Sequence, residues 1–171
     1  MYLCSNGLPI DKAGDTFKGY SGATTEFQNR DNRMTNILLQ HGQKYWNNDG
    51  KWRTTWNDED LNNALEANVR SNSGYQNYKW CVERQVADYY ESMDYPVIRY
   101  AEVLLNYVEA VYELQGNISD DDLQYLNDVR TRVNPDMPEL TNEFASKYGL
   151  SMREEIRRER TVELFLEGFR Y

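Results

Sequence analysis

The chain has 171 residues, of which 40% are apolar and 13% aromatic, with 28 acidic against 19 basic side chains and a formal net charge of −9. Mean hydropathy is −0.86, so burial must lean on aromatics, which cover large areas while keeping a polar handle; this describes a folded domain with a real core, not a disordered chain. The acidic balance excludes a dominant phosphate-binding role, which needs clustered Lys and Arg, and no nucleic acid is expected as a partner.

Residues 1–92 are rich in Gly, Asn, Asp, Ser, Trp and Tyr and carry few sustained periodic runs. "MYLC" at the start has no basic and apolar leader before its cysteine, so the chain is expected to be cytosolic or to lack its true N-terminus. "SNGLPIDKAGDTFKGYSG" is punctuated by Asn-Gly, Pro and further glycines and reads as turns. "NRMTNILLQHG" reads as irregular structure with short elements. "NDEDLNNALEANVR" (Asn57 to Arg70) predicts a short helix diluted by Asn, and "NYKWCVERQV" predicts a strand or extended segment.

Residues 93–171 predict three helices. The first, about 98–115, starts after Pro96 and stops before Gly116-Asn117, where a glycine suits the position past a helix end. The second, about 120–133, opens on a capping pattern, Ser119 with Asp122, and an acidic first turn suits the helix dipole. Leu123, Leu126, Val129 and Val133 line one side of it until Asn134-Pro135. The third, about 151–167, opens on Ser151 with Glu154. The first two helices and their turn span close to the ~34 residues of a tetratricopeptide-type unit, although the signature residues of that repeat are not matched in order.

At ~100° per residue, the apolar and aromatic residues of the first helix sweep through about 220°, and Arg99, Glu102, Asn106, Glu109 and Glu113 fill a strip of about 80°. Such a helix is expected to be covered on two sides. Its charges exclude a bilayer span, since each costs ~2.5–3.5 kcal/mol at the membrane centre. Glu102 and Glu109 share a face, yet so does every polar residue of an amphipathic helix, so the strip is read as solvated or ion-paired and not as a catalytic dyad. In the third helix Glu159 and Glu163 share a side with Met152, Ile156 and Leu166. Carboxylates in an apolar sector need partners, and Arg99 and Arg130 are the candidate ion-pair partners. The run "REEIRRER" alternates sign and reads as a salt-bridged face.

His41 is the only histidine, and Cys4 and Cys81 are the only cysteines. A serine or cysteine nucleophile has little choice of imidazole base here, and no zinc-binding spacing is present. "NNDG" and "SDDD" lack the spaced ligands of a calcium loop. No metal and no cofactor are expected.

The blocks "DYPVIRYAEVLLNYVEA", "LNDVRTRVNPDMPEL" and "IRRERTVELFLEGFRY" resemble successive signature blocks of the SusD/RagB family, and "NRDNRM", "HG" and "GYQNYKW" sit upstream in the family's order. The sequence departs where the family usually has proline (Asn32) and a small residue (Val108). It is expected to be an internal-to-C-terminal fragment of a longer protein, lacking both ends. The resemblance implies a mainly α fold, with tetratricopeptide-like helix pairs supporting an irregular loop-rich segment with few short strands. Residues 1–92 would be a loop-rich, aromatic-rich, ligand-facing segment and 93–171 a helical segment of one truncated SusD/RagB-type domain. The function implied is non-catalytic: binding of an oligosaccharide or other nutrient at the surface of the outer membrane and delivery to a SusC-type TonB-dependent transporter. Membrane attachment would be through a lipid anchor outside this sequence.

A glycan binder needs flat aromatic faces for apolar sugar surfaces, and amides, carboxylates or arginines for hydroxyls. "QKYWNNDGKWRTTWN" (43–57) supplies Tyr45, Trp46, Trp52 and Trp56 among Asn48, Asp49 and Arg53, and Tyr75 and Tyr78 form a second cluster beside Trp80. The family does not fix its sugar-contacting positions, so these are chosen on chemistry. The bland alternative is that such aromatics pin loops to the helices. Two rival functions remain: a glycoside hydrolase with paired carboxylates, for which Asp49, Asp58, Glu59 and Asp60 are nearest, and a protein-interaction scaffold without a small ligand.

Overall fold

The longest regular element begins where proline stops restricting the backbone. In a computed structural model, which describes residues 1–22, 24–40, 42–47, 51–54, 75–80, 90, 94 and 96–169, the described helices and strands run in the following order. They are α1 (Asn32–Ile37), β1 (Leu38–Leu39), β2 (Lys44–Asn47), β3 (Lys51–Thr54), β4 (Gln76–Asn77), α2 (Tyr100–Gln115), α3 (Asp120–Thr131), α4 (Asn142–Tyr148) and α5 (Met152–Glu163). The chain is mainly helical. No helix among the described residues is long and apolar enough to cross a membrane. The expected helix over Asn57–Arg70 lies outside the described residues, as does most of "CVERQV".

Two compact units divide the chain. The first comprises residues 1–18, 29–33 and 96–171; the second comprises 19–28 and 34–95.

In the first unit, local sequence signals set the helix ends. Gly116 takes the left-handed conformation (φ 73°) and its N–H donates to the Tyr112 carbonyl, closing α2. The Ser119 hydroxyl accepts from the Asp122 N–H at 3.1 Å to cap α3. Thr141 caps α4 by accepting from the Phe144 N–H at 3.0 Å, and Gly149 (φ 58°) ends that helix. Helix α4 stands between the second and third predicted helices, where the sequence shows no period. Helix α5 is shorter than expected: it stops at Glu163, and residues 164–168 turn instead, with Leu166 at φ 60°.

The core lies where α2 meets α3. Leu105 and Val108 of α2 pack with Leu123, Leu126 and Val129 of α3, and Ile118, Leu140, Ala145 and Ile156 complete the cluster. A satellite of Cys4, Leu8 and Ala13 is covered by Phe17, Phe144 and Leu150.

Helix α2 shows three longitudinal strips. One is the core strip just described. The polar strip faces α5: Arg160 bonds to Asn106 and pairs with Glu109 at 2.9 Å, while Arg157 and Arg153 reach Glu113 at 3.2 and 2.7 Å. The third strip is apolar yet exposed: Tyr100 is 75%, Val103 49%, Tyr107 45% and Leu114 85% accessible. Helix α2 is thus covered on two sides, by α3 and by α5, as the wheel leads one to expect, but the cover from α5 is largely polar. The second flank is given over to arginine–carboxylate contacts, and Tyr107 leans over α3 through an edge contact with Tyr125 and a 2.8 Å bond to Asp122.

In the second unit, β1 pairs antiparallel with β4 (Leu38 opposite Asn77, Leu39 opposite Gln76), and β2 pairs with β3 as a hairpin. The Tyr78 N–H donates to the Ile37 carbonyl at 2.6 Å and extends the first of these pairings. The Thr25 hydroxyl donates to the Gly19 carbonyl at 3.1 Å and accepts from the Gly22 N–H at 3.1 Å.

Candidate functional site

Within the aromatic segment chosen on chemistry, residues 44–47 and 51–54 form β2 and β3, which pair antiparallel. The register sets Trp46 directly opposite Trp52 and Tyr45 opposite Arg53, at consecutive positions of the ladder that belong to opposite faces. Cross-strand neighbours of this kind lie about 4.5–5.5 Å apart between β-carbons. Asn48, Asp49 and Trp56 lie outside the described residues. The hairpin itself has a local signal: Asp49-Gly50 stands between two runs rich in aromatics and Thr, the pattern that favours a tight reversal.

Tyr75 and Tyr78 are held differently. Tyr75 is exposed, its hydroxyl donates to Glu26 at 2.8 Å, and its ring meets Phe27 edge-on at 6.4 Å. Tyr78 is half-buried and tied through its backbone to Ile37. Trp80 takes a left-handed backbone (φ 71°), with the Lys79 ammonium 5.3 Å from its ring centre. The second cluster thus contains one ring at the surface, Tyr75, and two half-buried residues, Tyr78 and Trp80.

The first unit contains a buried ionic network. Arg33, Glu159, Glu163 and Asp31 have side chains that are each 5% exposed or less. Arg33 pairs with Asp31 at 2.7 Å, with Glu159, and with Glu163 at 3.3 Å. Arg130, 1% exposed, reaches the other oxygen of Glu159 at 3.1 Å, and Arg99 reaches Glu163 at 3.0 Å and Glu167 at 2.7 Å. Arg132 touches Glu163 from the solvent side at 3.1 Å. The Asn134 amide donates to Asp31 at 3.0 Å, and its carbonyl oxygen accepts from the Asn32 N–H at 2.7 Å. The structure therefore brings Glu159 to Arg130 and Glu163 to Arg99. It adds Arg33, Asp31 and Glu167, which the sequence reading did not single out. No local pattern marks Asp31 and Arg33, because their partners on α5 are more than a hundred residues away in sequence.

Burial alone would raise the Asp31 carboxyl, but the hydrogen bonds and charge of Arg33, with the Asn134 amide, hold it below its ordinary 3.8. Burial likewise opposes the Arg33 charge, and the Glu159 carboxylate and the bonds to Asp31 outweigh it, holding the guanidinium above its ordinary range. The neighbouring Tyr2 hydroxyl is pushed up to about 12, by burial first and then by the Asp31 charge. A carboxyl depressed in the folded state contributes stability that is complete above its ordinary pKa and is lost as pH falls through the folded value. Thermal midpoints should therefore fall below about pH 4, and Asp31→Asn should flatten part of that fall. An unchanged acid slope in the variant would remove Asp31 from the cause.

A cleft of about 860 Å³ opens elsewhere in the helical unit, walled by Leu164, Phe165, Leu166 and Phe169 and rimmed by Arg157 and Arg160. Both arginines are already paired with α2 carboxylates.

A helical unit with a buried ionic network, and a second unit with two short antiparallel strand pairings, define the class: a mainly helical protein. The chain belongs to the SusD family, whose model matches residues 1–171. Its fold is similar to the crystal structure of a SusD-like protein from Bacteroides fragilis NCTC 9343, with a TM-score of 0.63 and 24% identity. That alignment covers 97% of this chain and 32% of the other, so the chain spans about a third of that relative. A comparison with curated proteins returns no significant match.

Proposed function

We propose that this chain is part of a non-catalytic, surface-exposed lipoprotein of the outer membrane that binds oligosaccharide or a related nutrient and passes it to a SusC-type TonB-dependent transporter. The observation that carries this reading is the family match along residues 1–171. The hairpin supports it chemically. Its ladder sets Trp46 opposite Trp52 on one face, a register that suits stacking on a sugar, while the adjoining pair of Tyr45 and Arg53 belongs to the other face.

The test is calorimetric titration of the chain with malto-, xylo- and fructo-oligosaccharides. One class should bind, and Trp46→Ala, Trp52→Ala and Trp56→Ala should each weaken it about tenfold, which is about 1.4 kcal/mol. Far-UV circular dichroism should be unchanged in the same variants. Parental affinity in all three variants would exclude the cluster. Release of reducing ends from the titrated sugar would replace binding with hydrolysis, and failure with every sugar alongside capture of a transporter barrel would favour a pure scaffold.

A further inference from the structure

Residues 34–95 leave the first unit after Arg33 and rejoin it at Pro96. The last residue before the departure and one of the first after the return carry arginines that meet the same carboxylate. Arg33 Nη1 lies 3.3 Å from Glu163 Oε2, and Arg99 Nη1 lies 3.0 Å from Glu163 Oε1. Arg99 Nη2 also donates to the Glu163 backbone carbonyl at 3.2 Å. The Glu163 side chain is 3% exposed, so this bridge is shielded from water and salt.

Glu159, one turn earlier on α5, provides the natural contrast. It is as buried as Glu163 and binds Arg33, but its other partner is Arg130 of α3. Glu159 thus holds one end of the excursion, and Glu163 holds both.

We propose that Glu163 is a clamp that locks the two stems of the 34–95 excursion to each other, so that they open as one cooperative unit. The physical argument has two parts. Joining the ends of a long segment costs loop-closure entropy that grows as (3/2)RT ln n, and a link at the base offsets it only while both ends are held. Movement of either stem also admits water to the buried carboxylate, which Arg132 contacts as well, and a hydrated carboxylate holds the second guanidinium far less strongly. Opening one stem therefore promotes opening of the second.

Hydrogen exchange reads this directly, because both stems contain bonded amides. The N–H groups of Asp31, Asn32 and Arg33 donate to the Leu3 carbonyl, Asn134 Oδ1 and Asp31 Oδ1, at 3.0, 2.7 and 2.9 Å. On the return stem the Glu102 N–H donates to the Arg99 carbonyl at 2.9 Å. Relative to core amides of α3, Glu163→Gln should speed exchange about tenfold or more at both stems. Glu159→Gln should do so at the first stem alone. Acceleration at one stem only in Glu163→Gln, uniform acceleration along the whole chain, or both stems responding to Glu159→Gln would each overturn the clamp. The unsubstituted chain supplies a test that needs no variant to fold. With rising urea, the amides of the two stems should converge on one opening free energy below that of the α3 core, and two separate values would overturn the proposal equally.

Discussion

Replacing Arg33 with leucine is expected to lower the unfolding free energy by about 3–5 kcal/mol, the range for breaking a buried ion pair from one side. Three carboxylates, those of Asp31, Glu159 and Glu163, lean on this one guanidinium, and all are at most 3% exposed. Leucine fills part of the volume but leaves them to repel each other at low dielectric, with Arg130, Arg99 and Arg132 as the remaining compensation. Lysine would restore the charge and not the fork, since Arg33 bonds Asp31 through both Nε and Nη2. Arg153 is the control. It pairs with Glu113 at 2.7 Å while 49% exposed, and its replacement should cost about 0–1 kcal/mol. The readout is urea denaturation followed by helical circular dichroism. A loss for Arg33→Leu as small as that for Arg153→Leu would mean that the buried network is not a stabilising unit.

The contrast between those two arginines also separates what is legible in the sequence from what is not. Caps are local: Ser119 with Asp122, Ser151 with Glu154 and Gly116 each announce a helix end within four residues, and the helices they bound form where the pattern places them. Helix α4 has the same kind of cap in Thr141 and the same left-handed stop in Gly149, but its seven residues are too few to show a period, and it is hidden behind Pro135 and Pro138. The end of α5 is illegible for another reason. Leu166 adopts a left-handed backbone that nothing in its own chemistry favours, so only tertiary packing can set it. The buried network lies between these cases. Glu159 and Glu163 stand out because they interrupt an apolar sector, which signals that cations must face them. Which cations do so depends on how segments distant in the chain meet, and Asp31 and Arg33 arrive from the start of α1, a helix too short to show a period.

The same reasoning explains the third strip of α2. Hydropathy on a wheel reports that Tyr100, Val103, Tyr107 and Leu114 are apolar, but not which flank a neighbour will occupy. Helix α5 takes the polar flank because its own exposed side is rich in arginine. Charge complementarity, not apolar area, selects that contact.

Asn127→Leu is expected to be nearly as costly as the loss of Arg33, although it removes no charge. Asn127 is 2% exposed and sits on the core side of α3 beside Leu123 and Leu126. Its Nδ2 donates to the Leu140 carbonyl at 3.0 Å, and its Oδ1 accepts from the Leu140 N–H at 2.8 Å. One side chain therefore satisfies both backbone groups of a residue in the non-helical link to α4, where neither a helix nor a sheet is available to do so. Leucine conserves the approximate volume and the apolar contacts, so packing loss is small, while two buried backbone groups are orphaned at about 1–3 kcal/mol each. The expected signature is a stability loss of about 2–6 kcal/mol together with faster exchange of the Leu140 amide, even where the α3 amides remain protected. Asn127→Asp discriminates the mechanism, since it keeps the acceptor for the Leu140 N–H but loses the donor for its carbonyl and buries a charge. If Asn127→Leu proved neutral, the link from α3 to α4 would have to be held by packing of Leu140 alone.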